Sequence, residues 1–325
     1  MNSLKNCNVL VTGGAGFIGS TLVRELIKVG ANVIVYDNLL YGDKYNLSDI
    51  EKDMTLVIGD VISGKIFDTL KKYNIDYVFN LAAEPYIPHS YDNPEKFFQV
   101  NVNGTINLLS ACRTFNVKRI IHVSTSEVYG TGQIIPMNEK HPLNPLSTYA
   151  VSKLAGDRAA FVFSYERNIP VVIVRPFNSY GPRETQPYII PEIIRQLFNG
   201  KTLHLGNIDA KRDFTYVEDT ALGMISVMTS NLTKGEVVNI GSNKSYSIKD
   251  IAILIGKEFG YDNIDIQIDK TRLRPLDVEL LESDYSKINK LTGWKPTVDI
   301  KEGLKRTVQW YLNHGKEWSW ERFSK

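Results

Sequence analysis

Tyr149 and Lys153 lie four residues apart in the segment Y-A-V-S-K. In a helix this spacing places both side chains on one face. A neighbouring ammonium stabilises a phenolate and lowers the pKa of tyrosine, which is about 10 when unperturbed. A phenolate near neutral pH can take a proton from a hydroxyl group. The pattern therefore predicts a base and its partner, although a tyrosine and a lysine on the surface of an ordinary helix would show the same spacing.

A second polar group, Ser124-Thr125-Ser126-Glu127, directly follows an apolar run. That run predicts a buried strand, and a doubly wound sheet presents its ligand site at the carboxyl ends of its strands. Hydroxyls and a carboxylate suit proton transfer better than core packing. The predicted catalytic residues are Thr125, Ser126, Glu127, Tyr149 and Lys153.

A glycine-rich segment near the start of the chain carries G-x-G-x-x-G at Gly14, Gly16 and Gly19, after a predicted strand and before a predicted helix. Such a turn lets the backbone approach a pyrophosphate, which the helix N-terminus also attracts. Asp37 follows Gly19 by 18 residues, where a carboxylate bonds the adenosine ribose and repels a 2′-phosphate. The next three residues contain no arginine, so the segment predicts NAD rather than NADP. Asp60-Val61 is expected to flank the adenine.

Regular alternation of strands and helices is predicted as far as Pro176. The strands are apolar on both faces, which is typical of an α/β fold with a doubly wound parallel (Rossmann) sheet. The predicted strands are 8–12, 32–37, 54–58, 77–81, 119–124 and 171–174, and the helices between them include 19–29, 67–73, 94–115 and 148–167.

Beyond Pro176, glycine and proline become frequent and short strands mix with helices. This change predicts a smaller α/β lobe that binds substrate. We expect residues 1–176 plus about 213–241 to form the NAD-binding domain, and about 177–212 and 242–325 to form the lobe. The tail 316–325 fits neither part clearly and is either docked or frayed.

Length and composition set aside several classes of protein. The chain has 325 residues and a net charge of +2, which gives no bulk attraction for nucleic acid or an anionic membrane. No apolar run approaches the roughly 18 residues that span a bilayer, and the N-terminus lacks a signal-peptide pattern. Cys7 and Cys112 are expected to be buried thiols, and the five histidines lack metal-ligand spacing. We therefore expect a cytoplasmic protein without a metal, nucleic-acid or membrane partner.

Three motifs, in this order and spacing, resemble the extended short-chain dehydrogenase/reductases that modify nucleotide sugars. They are T-G-G-A-G-F-I-G from Thr12, S-T-S-E-V-Y-G from Ser124 and Y-A-V-S-K from Tyr149, and the resemblance covers essentially the whole chain. It implies that Tyr149 is the base for the 4-hydroxyl of the sugar and that Lys153 tunes it. It also implies that Thr125, with Ser124 behind it, holds the same hydroxyl.

The same resemblance implies the contacts of the cofactor. Asn80 belongs to a strand-end motif that lines NAD. Asn101 matches an asparagine that braces the active site, although an ordinary asparagine at a helix N-terminus would look the same. The residues expected to bind NAD are Gly13, Gly16, Phe17, Ile18, Gly19, Asp37, Asn38, Asp60, Val61, Leu81, Ala82, Ala83, Asn101, Ser124, Tyr149 and Lys153.

Three loops of the second half resemble those with which the family holds a sugar diphosphate. Guanidinium groups suit a diphosphate, so Arg212 and Arg274 are placed on it and Asp277 on the nucleotide ribose. The alternatives are solvated arginines or a local ion pair between Arg212 and Asp213. The expected substrate-binding residues are Glu84, Asn178, Arg183, Arg212, Arg274 and Asp277. Two of the loops look most like those of GDP-mannose and GDP-hexosamine dehydratases, which favours guanine and leaves uracil and thymine open.

Members of this family oxidise carbon 4 of the sugar with bound NAD, and the resulting 4-keto group acidifies the proton on carbon 5. A 4,6-dehydratase then needs a carboxylate, and Glu127 stands where such enzymes keep it. The dTDP-glucose type has Asp-Glu where this chain has Ser126-Glu127, so the acid for the 6-hydroxyl is open. The resemblance implies a nucleotide-sugar 4,6-dehydratase. The alternatives are a 4-epimerase or a UDP-glucuronate decarboxylase on the same scaffold, and a non-catalytic dinucleotide sensor.

Family members commonly form homodimers through a four-helix bundle, and 94–115 and 149–167 are the matching helices. Periodicity does not separate an apolar dimer face from packing on the sheet. The residues that could supply such a face are Phe97, Leu108, Phe115, Phe161, Val162 and Tyr165.

Overall fold

The computed structural model describes residues 4–314, so the tail 316–325 lies outside the described residues. In chain order the strands are β1 (Asn8–Thr12), β2 (Asn32–Asp37), β3 (Met54–Ile58), β4 (Tyr77–Asn80), β5 (Arg119–Val123), β6 (Val171–Pro176), β7 (Asn178–Tyr180), β8 (Thr202–Leu205), β9 (Lys211–Tyr216), β10 (Val237–Ile240), β11 (Ser245–Ser247) and β12 (Asp265–Ile268). The α-helices are α1 (Phe17–Lys28), α2 (Lys65–Tyr73), α3 (His89–Asp92), α4 (Pro94–Phe98), α5 (Thr105–Thr114), α6 (Thr148–Glu166), α7 (Ile189–Leu197), α8 (Val217–Met228), α9 (Ile248–Glu258), α10 (Ser286–Thr292) and α11 (Ile300–His314).

Seven strands form the central sheet, all parallel, in the order β10-β6-β5-β4-β1-β2-β3. Strands covered on both faces must be apolar throughout, and β6 is buried along its whole length. Helices α1 and α8 cover one face through Leu22 and Met224, among others. Helices α2 and α5 cover the other face through Leu70 and Leu108. The predicted doubly wound parallel sheet is confirmed.

The strand order reverses beside β1, which pairs with β2 on one side and with β4 on the other. At such a switch point the loops leave in opposite directions and open a crevice at the carboxyl ends of the strands. The glycine-rich turn follows β1, and residues 81–84 follow β4. Both segments therefore border this crevice.

The remaining strands form two smaller sheets. Strand β9 lies between β7 and β11, and β8 pairs with β12. Helices α7, α9 and α11 pack around a separate apolar core that includes Ile193, Ile251 and Leu304. Because β9 starts at Lys211, it crosses the expected domain boundary near residue 213. The division into two domains at the stated boundaries stays a prediction.

The single helix predicted over 94–115 is interrupted. Between α4 and α5 the chain forms a π-helical segment, Gln99–Gly104. The interruption accompanies a close approach of α6, because a Cβ on Gly156 would lie 2.6 Å from the carbonyl oxygen of Asn101. Such π segments are frequent at functional sites because they redirect side chains, and here the segment turns Asn101 toward the crevice wall.

The residues predicted for a dimer face divide into two groups. Phe97 and Leu108 are buried in the protein interior, so for these two residues the alternative of packing within the chain holds and not the dimer face. Phe115 and Phe161 are partly buried against the same core. Two positions on α6 do face solvent, Val162 and Tyr165, and so do Phe98 and Val151 nearby.

A buried ion pair joins the helix of Tyr149 to the central sheet. The Arg175 guanidinium on β6 donates to both carboxylate oxygens of Asp157 on α6, at 2.9 and 3.1 Å. The same guanidinium donates to the Tyr129 hydroxyl at 3.1 Å, and Tyr129 donates to Asn239 at 2.8 Å. Since a buried charge is costly without its partner, this network fixes α6 relative to β6.

Within residues 4–314, no helix is long and apolar enough to cross a membrane. The same residues contain no group of His, Cys, Asp and Glu side chains that could hold a metal ion. Both cysteines are free thiols; Cys112 is buried, as predicted, whereas Cys7 is only partly buried.

Candidate active site

A cavity of about 820 Å³ follows the carboxyl ends of the strands. One end is lined by residues that follow β1, β2 and β3, the middle by residues that follow β4 and β5, and the other end by the loops after β8 and β12. Its volume lies in the range of ligand-binding cavities. The fold thus brings most of the predicted site residues to one continuous wall.

The glycine-rich turn leaves no room for side chains. Gly13 has a φ of +69°, which only glycine adopts easily, and a Cβ there would lie 2.9 Å from the backbone nitrogen of Ala82. A Cβ on Gly19 would overlap the carbonyl oxygen of Gly13. Helix α1 has no side-chain cap after Gly16, so its first N–H groups are free to bind a pyrophosphate. The turn therefore fits the phosphates of a dinucleotide.

Asp37 and Asn38 lie beside that turn on the cavity wall. The Asp37 carboxylate accepts hydrogen bonds from the backbone nitrogens of Ala15, at 2.9 Å, and Leu39, at 2.8 Å. Burial raises the pKa of Asp37, and these two hydrogen bonds oppose the rise. Asn38 donates to Asp60 at 2.9 Å. A carboxylate fixed in this way suits the ribose hydroxyls of NAD.

Tyr149, Thr125 and Glu127 share the central part of the wall. Burial raises the pKa of Tyr149 to about 12, a hydrogen bond with Thr125 lowers it in part, and the charge of Glu127 raises it further. The effect that Lys153 is expected to have on the Tyr149 pKa stays a prediction. In the structure the Lys153 ammonium donates a hydrogen bond to the carbonyl oxygen of Val123, at 2.6 Å.

Lys153 is itself perturbed, since it is only 5 % exposed. Burial lowers the pKa of its ammonium to about 8, against the opposing charge of Asp157. The group also lies on the cavity wall, where a ribose hydroxyl can reach it. Lys153 is thus a buried donor at the same strand end as Thr125.

At the far end of the cavity, Arg212 and Arg274 meet Asp277. The Arg212 guanidinium lies 3.3 Å from the Asp277 carboxylate and that of Arg274 lies 3.7 Å from it. Asn207 donates to the same carboxylate at 3.1 Å. Burial lowers the pKa of Arg212, and the charges of Glu127 and Asp277 oppose the change. Two guanidinium groups on one wall can bind a diphosphate.

The alternative of a local ion pair between Arg212 and Asp213 is wrong. Asp213 is fully buried on the opposite side of β9 and accepts hydrogen bonds from the hydroxyls of Ser242 and Ser283, both at 2.6 Å. Neighbouring residues of a strand point to opposite faces, which separates the two side chains.

Three predicted site residues are not on the cavity wall. Ser126 is buried in the 3₁₀-helix Ser126–Tyr129 and is not among the residues that line the cavity. The Arg183 guanidinium lies 3.9 Å from Asp49 and 5.6 Å from the ring of Trp310. The predicted ligand contacts of Ser126 and Arg183 are therefore not supported.

Asn101, the third of these residues, lies behind the wall. Its side-chain oxygen accepts from the Glu84 nitrogen at 2.8 Å, and its amide donates to the Glu84 carbonyl at 3.2 Å and to Ser152 at 2.9 Å. Ser152 in turn donates to the Tyr149 carbonyl at 2.7 Å. Asn101 thus connects residue 84 to the helix of Tyr149 and does not face the cofactor space.

Asn80 likewise supports the turn from behind and does not line the cavity. It accepts from the Thr12 hydroxyl at 2.8 Å, and its amide lies 3.1 Å from Nδ1 of His122. The Thr12 hydroxyl also accepts from the Ala82 nitrogen at 3.2 Å. This chain of contacts fixes the ends of β1, β4 and β5 relative to one another.

Several residues that line the cavity were not predicted from the sequence. Tyr86 and Tyr188 make an edge-to-face contact with ring centroids 5.8 Å apart, and Tyr188 lies close enough to Tyr149 for their charges to interact. Tyr86 follows β4 closely, so its place at a strand end was a usable signal. Tyr188 comes from the loop before α7, and no local pattern marks it. The other residues of this kind include Tyr41, Tyr91, Glu184, Glu192 and Arg272.

A parallel doubly wound sheet, a glycine turn with Asp37, and a Tyr–Lys pair beside a threonine together define a dinucleotide-dependent enzyme of the short-chain dehydrogenase/reductase class. The family model described as GDP-mannose 4,6 dehydratase matches residues 10–307. The chain therefore belongs to this family of nucleotide-sugar 4,6-dehydratases and epimerases.

The proteins that are similar to this chain carry the names of both 4-epimerases and 4,6-dehydratases. A putative UDP-glucose 4-epimerase of Methanocaldococcus jannaschii is 34% identical over 313 residues, covering 95% of this chain and 99% of that protein. dTDP-glucose 4,6-dehydratase 1 of Escherichia coli is 31% identical, covering 95% and 93%. The structure of the dTDP-glucose 4,6-dehydratase DesIV from Streptomyces venezuelae, with NAD bound, has a TM-score of 0.87 and 32% identity over 94% of this chain and 97% of that chain. These relatives confirm the predicted cofactor, NAD.

The glycine turn generates the first testable prediction. Gly13→Ala forces a Cβ into the backbone of Ala82 and strains a positive φ, so we expect NAD affinity to fall at least about tenfold. Gly64→Ala is the matched control, because Gly64 has nothing within 4 Å of its would-be Cβ and a helical φ of −64°. Isothermal titration with NAD measures both. Equal affinities for the two variants would contradict the close fit.

His122 generates a second prediction, on stability. Burial lowers the pKa of this histidine from 6.5 to about 3. Below pH 6.5 the unfolded chain takes up a proton that the folded chain does not, so stability present above pH 6.5 is lost as the pH falls. Between pH 6.5 and 5 the free energy of unfolding should fall by about 2 kcal/mol from this group.

Urea unfolding at pH 7 and pH 5 measures the effect. His122→Asn removes the titrating ring and keeps an acceptor for Asn80, so its stability should fall less with pH than that of the wild type. His204→Asn alters an exposed histidine and should behave as wild type. The same pH dependence in all three proteins would show that His122 is not the group responsible.

Proposed function

We propose that this protein is an NAD-dependent 4,6-dehydratase of a nucleoside diphosphate hexose or hexosamine. The observation that carries the proposal is the position of Glu127, a carboxylate on the cavity wall beside Thr125 and Tyr149. Its charge acts on Tyr149, on Tyr91 and on Arg212, so it faces both the base and the diphosphate end. A carboxylate in this place suits proton removal at carbon 5 of the sugar.

In the proposed reaction Thr125 and Tyr149 hold the 4-hydroxyl of the hexose. NAD, held by the glycine turn, Asp37 and Lys153, would supply the hydride chemistry, accepting a hydride from carbon 4 and giving it back at carbon 6. Tyr149 takes the proton of the 4-hydroxyl; burial and the charge of Glu127 raise the pKa of Tyr149, and its hydrogen bond with Thr125 lowers it. Lys153 stays a buried donor for the cofactor ribose.

Glu127 acts in the second half of the reaction. The 4-keto group acidifies carbon 5, Glu127 takes the carbon 5 proton, and the carbon 6–oxygen bond breaks. The leaving 6-hydroxyl departs as water with a proton that Glu127 returns, since Ser126 is off the wall and carries no acid. The proton that Tyr149 takes from the 4-hydroxyl passes to solvent, and Glu127, reprotonated from solvent, returns one proton to carbon 5 as the hydride returns to carbon 6. The net change is the loss of one water.

The nucleotide half of the substrate lies at the end of the cavity that contains Arg212 and Arg274. We place the diphosphate on Arg212 and Arg274 and the nucleotide ribose on Asp277. Asn178 supports a polar ligand here, because its Oδ1 is buried without a hydrogen-bond partner among the described residues. The base stays open among guanine, uracil and thymine, since the family model is described by GDP-mannose while named relatives act on dTDP and UDP sugars.

A 4-epimerase is the second candidate function. It is favoured by the relative of Methanocaldococcus jannaschii that is named a putative UDP-glucose 4-epimerase and matches nearly the whole chain. It shares the oxidation at carbon 4 with the dehydratase and gives a product of unchanged mass. Glu127 would then have no proton to remove at carbon 5.

We further propose a cytoplasmic homodimer. Val162, Tyr165, Phe98 and Val151 are exposed apolar residues on or beside α6 and α4, and a second copy would cover them. Sedimentation of the purified protein at twice the chain mass of 36.8 kDa tests the dimer. Sedimentation as a monomer at micromolar concentration would contradict it.

Mass spectrometry of reactions with a panel of nucleotide sugars tests the proposed reaction. The panel contains GDP-mannose, GDP- and UDP-N-acetylglucosamine, dTDP-glucose, UDP-glucose and UDP-glucuronate. We expect one of them to lose about 18 mass units, one water, and Glu127→Gln to slow that loss about a hundredfold or more while NAD content is unchanged.

Glu166→Gln is the matched control, since Glu166 is an exposed carboxylate at the end of α6, away from the cavity. It should keep the wild-type rate. A new sugar of unchanged mass would establish the epimerase instead, and loss of carbon dioxide would establish a decarboxylase.

A further inference from the structure

Three side chains meet above the glycine-rich turn and join two loops that lie on either side of it. Tyr41 comes from the loop after β2, Glu84 from the loop after β4, and Lys96 from α4. The Lys96 ammonium lies 3.1 Å from the Glu84 carboxylate and 5.5 Å from the centroid of the Tyr41 ring. We call these residues the clasp.

The sheet order decides where the clasp lies. Since β1 lies between β2 and β4, a contact from the loop after β2 to the loop after β4 must cross the end of β1, where the glycine turn sits. The loop of Tyr41 is folded onto this turn, because the backbone nitrogen of Asp43 donates to the carbonyl oxygen of Ala15 at 3.1 Å. A Cβ on Gly42 would also lie 2.9 Å from the Cβ of Ala15.

The clasp has a fixed side and a movable side. Glu84 is buried, and Asn101 holds both its backbone nitrogen, at 2.8 Å, and its carbonyl oxygen, at 3.2 Å. Tyr41 is held across the crevice only through side-chain contacts, with Glu84, with Lys96 and with the ring of His89, whose centroid lies 6.0 Å away. Among the described contacts of Tyr41 none is a backbone hydrogen bond to the β4 side.

We propose that Tyr41, Glu84 and Lys96 form a clasp over the pyrophosphate end of the cavity, which must open for NAD to enter or leave. Tyr41 and Glu84 line the cavity, whereas Lys96 is outside its lining and half exposed, so the ammonium closes the contact from the solvent side. In this proposal Glu84 helps to retain the cofactor, in place of the contact with substrate that the sequence analysis expected.

A clasp of this kind suits a cofactor that does not need to be exchanged. This argument rests on the proposed function, in which the hydride taken from carbon 4 is returned to carbon 6 and NAD ends each turnover oxidised. An enzyme that released NADH after every turnover would be slowed by a closed clasp.

Exchange of bound NAD tests the proposal without any sugar substrate. The purified holoenzyme is mixed with excess isotope-labelled NAD, and the label bound to the protein is followed by mass spectrometry. We expect Lys96→Met, and separately Tyr41→Phe, to exchange NAD about tenfold faster than the wild type, because each removes one contact of the clasp. Lys96→Arg keeps the cation and should keep slow exchange.

Lys118→Met is the matched control. Lys118 also pairs with a carboxylate, Asp76 at 2.7 Å, and lies 5.9 Å from the ring of Tyr77, but it is far from the cavity lining. It should leave NAD exchange unchanged. If it speeds exchange as much as Lys96→Met does, the effect is general destabilisation and the clasp is wrong.

The rate of NAD binding distinguishes a clasp that blocks the path of NAD from a clasp that only contacts bound NAD. Opening a barrier speeds binding to the NAD-free protein as well as release, so the dissociation constant changes less than either rate. Stopped-flow binding, followed by tryptophan fluorescence, measures this. Faster release with unchanged binding in Lys96→Met, or wild-type exchange in both Lys96→Met and Tyr41→Phe, would overturn the proposal. Neither outcome depends on whether the enzyme is a dehydratase or an epimerase.

Discussion

All seven strands of the central sheet run in the same direction, and this brings every residue that follows a strand to one edge. The glycine turn, Asp37, residues 81–84 and Thr125 come from four different strand ends, yet they line one cavity. Their spacing is fixed by contacts that tolerate little change. A Cβ on Gly13 would lie 2.9 Å from the backbone nitrogen of Ala82, and Thr12, Asn80 and His122 connect three strands behind the wall.

Burial of ionisable groups gives the cavity its chemistry. Three buried groups are each compensated by a specific partner: Asp37 by two backbone nitrogens, Lys153 by the Val123 carbonyl, and Arg212 by Asp277. Tyr149 is not compensated in this way, since burial and the charge of Glu127 raise its pKa more than the hydrogen bond with Thr125 lowers it.

Much of the fold and part of the site could be predicted from the sequence. Strands buried on both faces and the G-x-G-x-x-G turn are local patterns, and the central sheet and the cofactor agree with them. Asn101 connects residue 84 to the helix of Tyr149, as expected of a residue that braces the site, whereas the NAD contacts expected of Asn101 and Asn80 are not supported. A motif marks a position beside the site, but it does not say whether the side chain faces the cavity.

Contacts between distant segments are where sequence reasoning was weakest. Tyr188 reaches Tyr149 from a loop that carries no recognisable pattern, and Arg183 turns toward Trp310 in α11. The hydrogen-bond partner of Lys153 depends on how α6 packs against β5. The four-residue spacing between Tyr149 and Lys153 does not determine that packing. Tyr41, Glu84 and Lys96 come from three separate elements, and their contacts are visible only in the folded chain.

The path of the hydrogen on carbon 4 tests the central claim most directly. A nucleotide sugar carrying deuterium at carbon 4 is converted by the enzyme, and the product is analysed by mass spectrometry and NMR. The account predicts a 4-keto-6-deoxy sugar that is lighter by one water and carries the deuterium on carbon 6. Deuterium that stays on carbon 4 of a sugar of unchanged mass would contradict the dehydratase, and deuterium lost to solvent would contradict the retained cofactor.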